Sequence, residues 1–127
     1  MSVDREALLA KVSEVLSPQI AETIEARVQN DKFASDFYEL VLQNCYGAQW
    51  IRPGLPLRER SLITLAMLMA SGQMDELPAH AQLALANGCT VSEIEEVVYH
   101  ATAYAGFPKA HAARAIIEKT FLDKGLL

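Results

Sequence analysis

From Leu62 to Ala70 the chain is apolar at every position except Thr64, and this run lies between Pro56 and Gly72. Proline suits a first helical turn, where its missing N–H would have had no partner, and glycine suits the residue just past a helix end. The spacing therefore predicts one long helix from Pro56 to Ser71, closed by Gly72. A helix that is apolar almost all round after Ser61 has to be covered on most of its circumference. It lies either at the centre of the domain or under an interface between copies of the chain. The run is far shorter than the roughly 20 apolar residues of a membrane span.

The other segments follow the same helical periodicity. Ser2 is placed to cap a first helix carrying Val3, Ala7, Leu8, Val12, Val15 and Leu16, and Ser17-Pro18 stops it and starts a second over residues 19–29. Phe33, Phe37, Leu40, Val41 and Cys45 recur at three- and four-residue intervals, which predicts a third helix over residues 32–46 ended by Gly47. Residues 48–55, with Trp50, Pro53 and Gly54, read as a fixed turn. After the long helix, Asp75 is a candidate cap for a helix stopped by Asn87-Gly88, and Thr90-Val91-Ser92-Glu93 has the pattern of a capping box. A helix over residues 92–105 and a last one over residues 109–122 are separated by Gly106-Phe107-Pro108. The expected fold is all-α, a single-domain helical bundle of about six or seven helices spanning residues 1–127, a length typical of one domain.

Composition narrows the partners. The formal net charge of −5 argues against a nucleic-acid footprint, which needs a clustered basic surface. The first residues have no apolar signal core, and the two cysteines, Cys45 and Cys89, form neither a CxxC nor a metal spacing. The chain reads as cytoplasmic, with free thiols and without nucleic-acid or membrane partners, so its ligands are expected among proteins and small molecules.

Two groups of residues carry more ionisable chemistry than packing requires. Glu76 and His80 stand four apart, on one face of one helix, where a carboxylate can tune and orient an imidazole for general acid or base work; a solvated pair or a histidine satisfied at an interface uses the same spacing. Arg52, Arg58 and Arg60 gather around the start of the long helix, the end at which the macrodipole disfavours cations. An anion nearby has to offset this. Glu59, a neighbouring subunit or a di-acid substrate could supply it, since the guanidinium fork matches a carboxylate. Arg58 and Arg60, two apart, cannot share one face. Tyr46 and Trp50 can line an aromatic wall or simply pack. His100 and His111 are weaker signals: His100, within an apolar helix beside Tyr99 and Tyr104, reads as a core or interface histidine, and the spacing of the three histidines gives no metal site.

The motifs resemble a known family. Trp50-x-Arg52-Pro53-Gly54-Leu55, Arg58-x-Arg60-Ser61-Leu62-x-Thr64, Glu76-Leu77-x-x-His80 and Asn87-Gly88-x-Thr90-x-x-Glu93-Ile94 are similar in order and spacing to the 4-carboxymuconolactone decarboxylase family. Tyr104-Ala105-Gly106-Phe107-Pro108 resembles a further stretch of it, with Ala105 where members often carry cysteine. The resemblance runs over roughly residues 37–121 and is poor over residues 1–30. It implies the alkylhydroperoxidase D-like fold, assembled as a homo-oligomer such as a trimer or hexamer. The redox branch of that superfamily carries Cys-x-x-Cys-x-x-x-His, and its cysteines would fall here on Gln73 and Glu76. A dithiol peroxidase is therefore disfavoured.

The resemblance also implies a reaction: loss of CO2 from 4-carboxymuconolactone to give the β-ketoadipate enol-lactone of aromatic catabolism. The departing carboxylate is vinylogous to the lactone carbonyl, so its electrons flow onto that oxygen and no cofactor is needed. Such a site requires a cation for the carboxylates of a small anionic lactone, a donor for the dienolate oxygen, and an acid for the α-carbon. His80 would donate the proton with Glu76 orienting it. Arg52, Arg58 or Arg60 would hold carboxylates beside Trp50 and Tyr46. The alternatives are a related lyase or isomerase on another small anionic lactone or keto acid, and a peroxidase-like or non-catalytic member.

Overall fold

The computed structural model of the protein describes residues 4–127. Seven α-helices, a π-helix and a short 3-10 turn make up the regular structure, with no strand among the described residues. The chain forms two compact units that meet in sequence between Leu55 and Pro56.

The first unit contains α1 (Arg5–Val15), α2 (Pro18–Asn30), α3 (Phe37–Val41) and the π-helix Leu42–Trp50. The expected cap Ser2 and the apolar Val3 lie outside the described residues. Asp4 caps α1 instead, its carboxylate accepting from the N–H groups of Glu6 at 3.0 Å and Ala7 at 3.4 Å. Ser17 and Pro18 occupy the N-cap and first positions of α2 as their types predict, although the Ser17 hydroxyl donates to the Gln19 side chain and not to the backbone. Leu9, Val12, Ala21, Ile24 and Leu42 form the core of this unit. At its edge Arg5 pairs with Glu39 at 2.7 Å, and the Arg27 guanidinium lies 4.7 Å from the centre of the Tyr38 ring while pairing with Asp31.

Two expectations fail here. Residues 32–36 are bends and turns, with Ala34 at a φ of 51°, so the third helix begins only at Phe37. The apolar spacing that suggested an earlier start has no core behind it: Phe33 is 93% exposed, and Phe37 and Leu40 are exposed as well. Gly47 does not end the helix but lies inside the π-helix, which carries the chain on to a buried Trp50. Its role is spatial. A Cβ built there would stand 2.8 Å from the Leu42 carbonyl oxygen and 2.9 Å from a Leu8 methyl, so the missing side chain is what lets the π-helix press against α1.

The second unit contains α4 (Leu57–Ser71), the 3-10 turn Met74–Glu76, α5 (Leu77–Ala86), α6 (Val91–Tyr104) and α7 (Phe107–Asp123). α4 ends where predicted and starts one residue late: Pro56 takes the N-cap position ahead of the first turn, and Gly72 closes the helix at a φ of 74°, a left-handed conformation that costs a residue without Cβ little. Thr90 and Glu93 form the complete capping box of α6. At α5 the cap position falls to Glu76, the last residue of the 3-10 turn, and not to Asp75, which lies inside that turn. Leu65, Met69, Leu77, Ala84, Ile94 and Phe121 are among the residues of one continuous core. Within the chain α4 is not covered on most sides. Its buried positions are Ser61, Leu65 and Met69, whereas Ile63 is 40% and Met67 65% exposed.

Gly47 supplies a test of the first unit. Glycine-to-alanine changes inside helices normally stabilise by about 1 kcal/mol. Gly47→Ala should do the opposite and destabilise by about 1–3 kcal/mol in urea unfolding, since one of the atoms it meets is backbone and cannot move aside.

Candidate active site

In the second unit, the starts of α4 and α5 hold four of the candidate residues, Arg58, Arg60, Glu76 and His80. Glu76 is the N-cap residue of α5 with helical backbone angles, so the four-residue spacing still sets it near His80 one turn on. Glu76 is exposed and His80 half-buried. Burial lowers the His80 pKa from its ordinary 6.5, and the negative charge of Glu76 opposes this without cancelling it. At neutral pH His80 is therefore a neutral imidazole, able to donate one hydrogen bond and to accept a proton once a further negative charge arrives.

Arg58 has its anions within the unit. Its guanidinium is ion-paired with Glu93 of α6 and lies 3.4 Å from Glu59. These carboxylates offset the cation at the positive end of the α4 dipole, so the anion foreseen in Glu59 is present and Glu93 is a second one. Glu93 was readable from the sequence only as a cap. Its two oxygens divide the work: Oε1 accepts from the Thr90 N–H at 2.9 Å, and Oε2 faces Arg58. The backbone carbonyl of Arg58 also receives the Cys89 thiol at 3.6 Å. Burial raises the pKa of that thiol; Arg58 lowers it and Glu59 raises it, each by less. Cys89 is thus a protonated, buried packing group.

Arg60, on the same turn, is half-buried, and its carbonyl accepts from the Thr64 hydroxyl at 2.8 Å. Beside it Ser61 is 2% exposed, and its hydroxyl accepts a 3.0 Å hydrogen bond from the Asn87 amide. That bond ties the start of α4 to the end of α5, the helix that carries His80. Neither partner was singled out from sequence, because they lie 26 residues apart.

The remaining candidates belong to the first unit. Tyr46 and Trp50 are one turn apart on the π-helix with ring centroids at 6.3 Å, and Arg52 follows, exposed, its N–H donating to the Gln49 carbonyl at 3.1 Å. The Cys45 thiol, pushed up in pKa by burial and lowered by a hydrogen bond with Trp50, is not a ready nucleophile. His100 is exposed and stacks on Tyr104 at 5.1 Å, and His111 is exposed on α7, so within the chain neither is a core residue. Among the described residues no group of three His, Cys, Asp or Glu side chains is placed to hold a metal ion, and no helix is long and apolar enough to cross a membrane.

The His80 environment predicts its titration. The imidazole should titrate below 6.5 in an NMR pH series, and Glu76→Gln should move the midpoint further down by removing the charge that opposes burial. The folded state thus holds this proton less tightly than the unfolded chain. Stability should fall as pH drops from about 6.5 to the folded-state midpoint, and His80 should contribute no pH dependence above that window.

Comparison with known proteins bears on this geometry. Residues 35–119, more than half of the chain, match the model of the carboxymuconolactone decarboxylase family. A 4-carboxymuconolactone decarboxylase from Acinetobacter baylyi is 40% identical over 94 residues, covering 74% of this chain and 70% of that protein. The nitrosuccinic acid decarboxylase npaB of Metarhizium robertsii is 36% identical over 109 residues, covering 83% of this chain and 76% of its own length. With a family model over most of its length and two relatives that are decarboxylases, the chain is a carboxy-lyase and belongs to the carboxymuconolactone decarboxylase family.

Proposed function

We propose that this carboxy-lyase removes CO2 from 4-carboxymuconolactone and gives the β-ketoadipate enol-lactone without an organic cofactor. The observation that carries the reading is the 40% identity to a decarboxylase of that substrate over 74% of the chain. The finer expectations go with it: an alkylhydroperoxidase D-like fold, a homo-oligomer, and a cytoplasmic place in protocatechuate breakdown.

The chemistry asks little of the protein beyond charge placement. As the C–C bond breaks, its electron pair moves through the ring double bond to the lactone carbonyl oxygen, CO2 departs, and the resulting dienolate takes one proton at the α-carbon. Each turnover consumes that proton. His80 is the proton donor: neutral in the free enzyme, it gains a proton when the anionic substrate adds its charge to that of Glu76. Arg58 would have to release Glu93 and Glu59 before gripping a substrate, so within the second unit the carboxylate-holding role is assigned to Arg60; Arg52, with Trp50 and Tyr46, is the corresponding candidate group of the first unit.

A second reading rests on the second relative, whose match covers more of the chain. In nitrosuccinic acid a carboxylate is attached to the carbon bearing the nitro group, which receives the electrons as the lactone carbonyl does in the first substrate. Both acids carry their own electron sink and a further negative charge, so one set of residues could serve either.

The test is loss of ultraviolet absorbance when purified protein meets freshly generated 4-carboxymuconolactone, with CO2 release from nitrosuccinic acid run in parallel. Turnover of the lactone is expected, with His80→Ala lowering kcat by about 10²–10⁴-fold, the range for a lost general acid, and Glu76→Gln lowering it less. A folded protein inert towards the lactone but active on the nitro acid would replace the first reading by the second. Near-wild-type turnover by His80→Ala would remove the proton-donor assignment.

A further inference from the structure

His80 lies on α5, and Asn87, seven residues on, is the C-cap of the same helix. Seven helical steps return a side chain to within about 20° of its starting direction, so the two residues share one side of α5. Asn87 is held there. Its amide donates at 3.0 Å to the hydroxyl of Ser61 on α4, a residue only 2% exposed.

The turn that bears Asn87 moves with α5. The N–H groups of Asn87, Gly88 and Cys89 donate to the carbonyls of Leu83, Leu85 and Ala84 at 2.9, 3.1 and 2.9 Å. A rotation of α5 about its own axis therefore carries Asn87 and His80 through the same angle. Packing resists that rotation only in part. Leu77 and Leu83 are the long buried side chains of the helix, whereas Ala81 and Ala84, both fully buried, have nothing beyond Cβ to interlock with a neighbour. A second contact of the turn with α4 is the Cys89 thiol, 3.6 Å from the Arg58 carbonyl, and a thiol is a weak donor. The directional hold on α5 is the bond between Asn87 and Ser61.

Side chains reach about 5–6 Å from a helix axis, so a rotation of about 10° shifts an imidazole by about 1 Å. A displacement of that size at a reacting group costs on the order of 10²-fold in rate. The geometry points to Asn87 as a positioning residue: by holding Ser61 it sets the rotation of α5 and with it the aim of His80. It acts through His80 and not on the substrate. The inference rests on the proton-donor reading of His80 and is indifferent to which of the two acids is the substrate.

Asn87→Ala and Ser61→Ala should each lower kcat about 10–100-fold with KM changed by less than about twofold, the split expected when a reacting group is misaimed and binding is kept. The double variant should be no slower than the slower single one, because both remove the same bond. Asn87→Asp separates aim from stability. Its carboxylate can accept from the Ser61 hydroxyl, which rotates to donate, while its charge opposes the dipole at the C-terminal end of α5. That variant should melt earlier than wild type and yet keep most of its kcat. A further readout needs no substrate: the NMR titration midpoint of His80, which burial holds below 6.5 beside Glu76, should move from its wild-type value by the same amount in Asn87→Ala and Ser61→Ala.

Unchanged kcat in Asn87→Ala would overturn the proposal, as would additive losses in the double variant or an Asn87→Asp enzyme as slow as Asn87→Ala. A wild type that turns over neither acid removes the reading of the reaction, and the titration then decides the positioning role: a His80 midpoint unmoved in both alanine variants ends it. Should Asn87→Ala lose its helical circular-dichroism signal, Asn87→Ser, polar but too short to reach Ser61, carries the same expectation.

Discussion

The second unit depends on one narrow stripe of α4. Ser61, Leu65 and Met69 recur every four residues and are its buried positions, and α5, α6 and α7 share the core to which Leu65 and Met69 belong. A helix with so little inward surface can be placed by a few side chains. Ser61 is the polar member of the stripe, and it is tolerable there because the Asn87 amide meets its hydroxyl; an unsatisfied hydroxyl at 2% exposure would cost about 1–3 kcal/mol. Through that bond the end of the helix carrying His80 is registered against the turn carrying Arg58 and Arg60.

Charge follows from this placement. A guanidinium at the positive end of a helix is unfavourable on its own, and it is offset at Arg58 by Glu59 on the same turn and Glu93 on the next helix but one. His80 is treated in the opposite way, with burial outweighing its single nearby carboxylate. The unit therefore holds a neutralised cation near the start of α4 and an uncharged imidazole on α5. On the proposed assignment of His80 as proton donor, an imidazole that is uncharged in the free enzyme is suited to a reaction in which an arriving anion itself supplies the electrons.

The elements that the sequence made legible are those fixed by local chemistry. Pro56 and Gly72 bound α4, Thr90 and Glu93 start α6, and Ser17-Pro18 starts α2, because each device acts within a few residues. The spacing of Glu76 and His80 was legible for the same reason. What escaped depended on distant partners. Gly47 reads as a helix stop unless one knows that Leu8 lies against it, and Phe33 and Phe37 read as a buried face until the core is seen to exclude them. The second task of Glu93 and the Ser61–Asn87 bond needed the tertiary approach of helices to become visible. Periodicity foretold that α4 is apolar all round, but it could not tell that Ile63 and Met67 stay exposed within the chain.

The two-oxygen use of Glu93 has a kinetic side. Fraying of the first turn of α6 breaks the capping box, and it also strips Arg58 of its closest anion, leaving a cation against the dipole of α4. The starts of two helices that are more than thirty residues apart in sequence are thereby coupled, so that opening one weakens the other. Amide hydrogens in the first turns of α4 and α6 would then exchange more slowly than at helix starts that lack such a link.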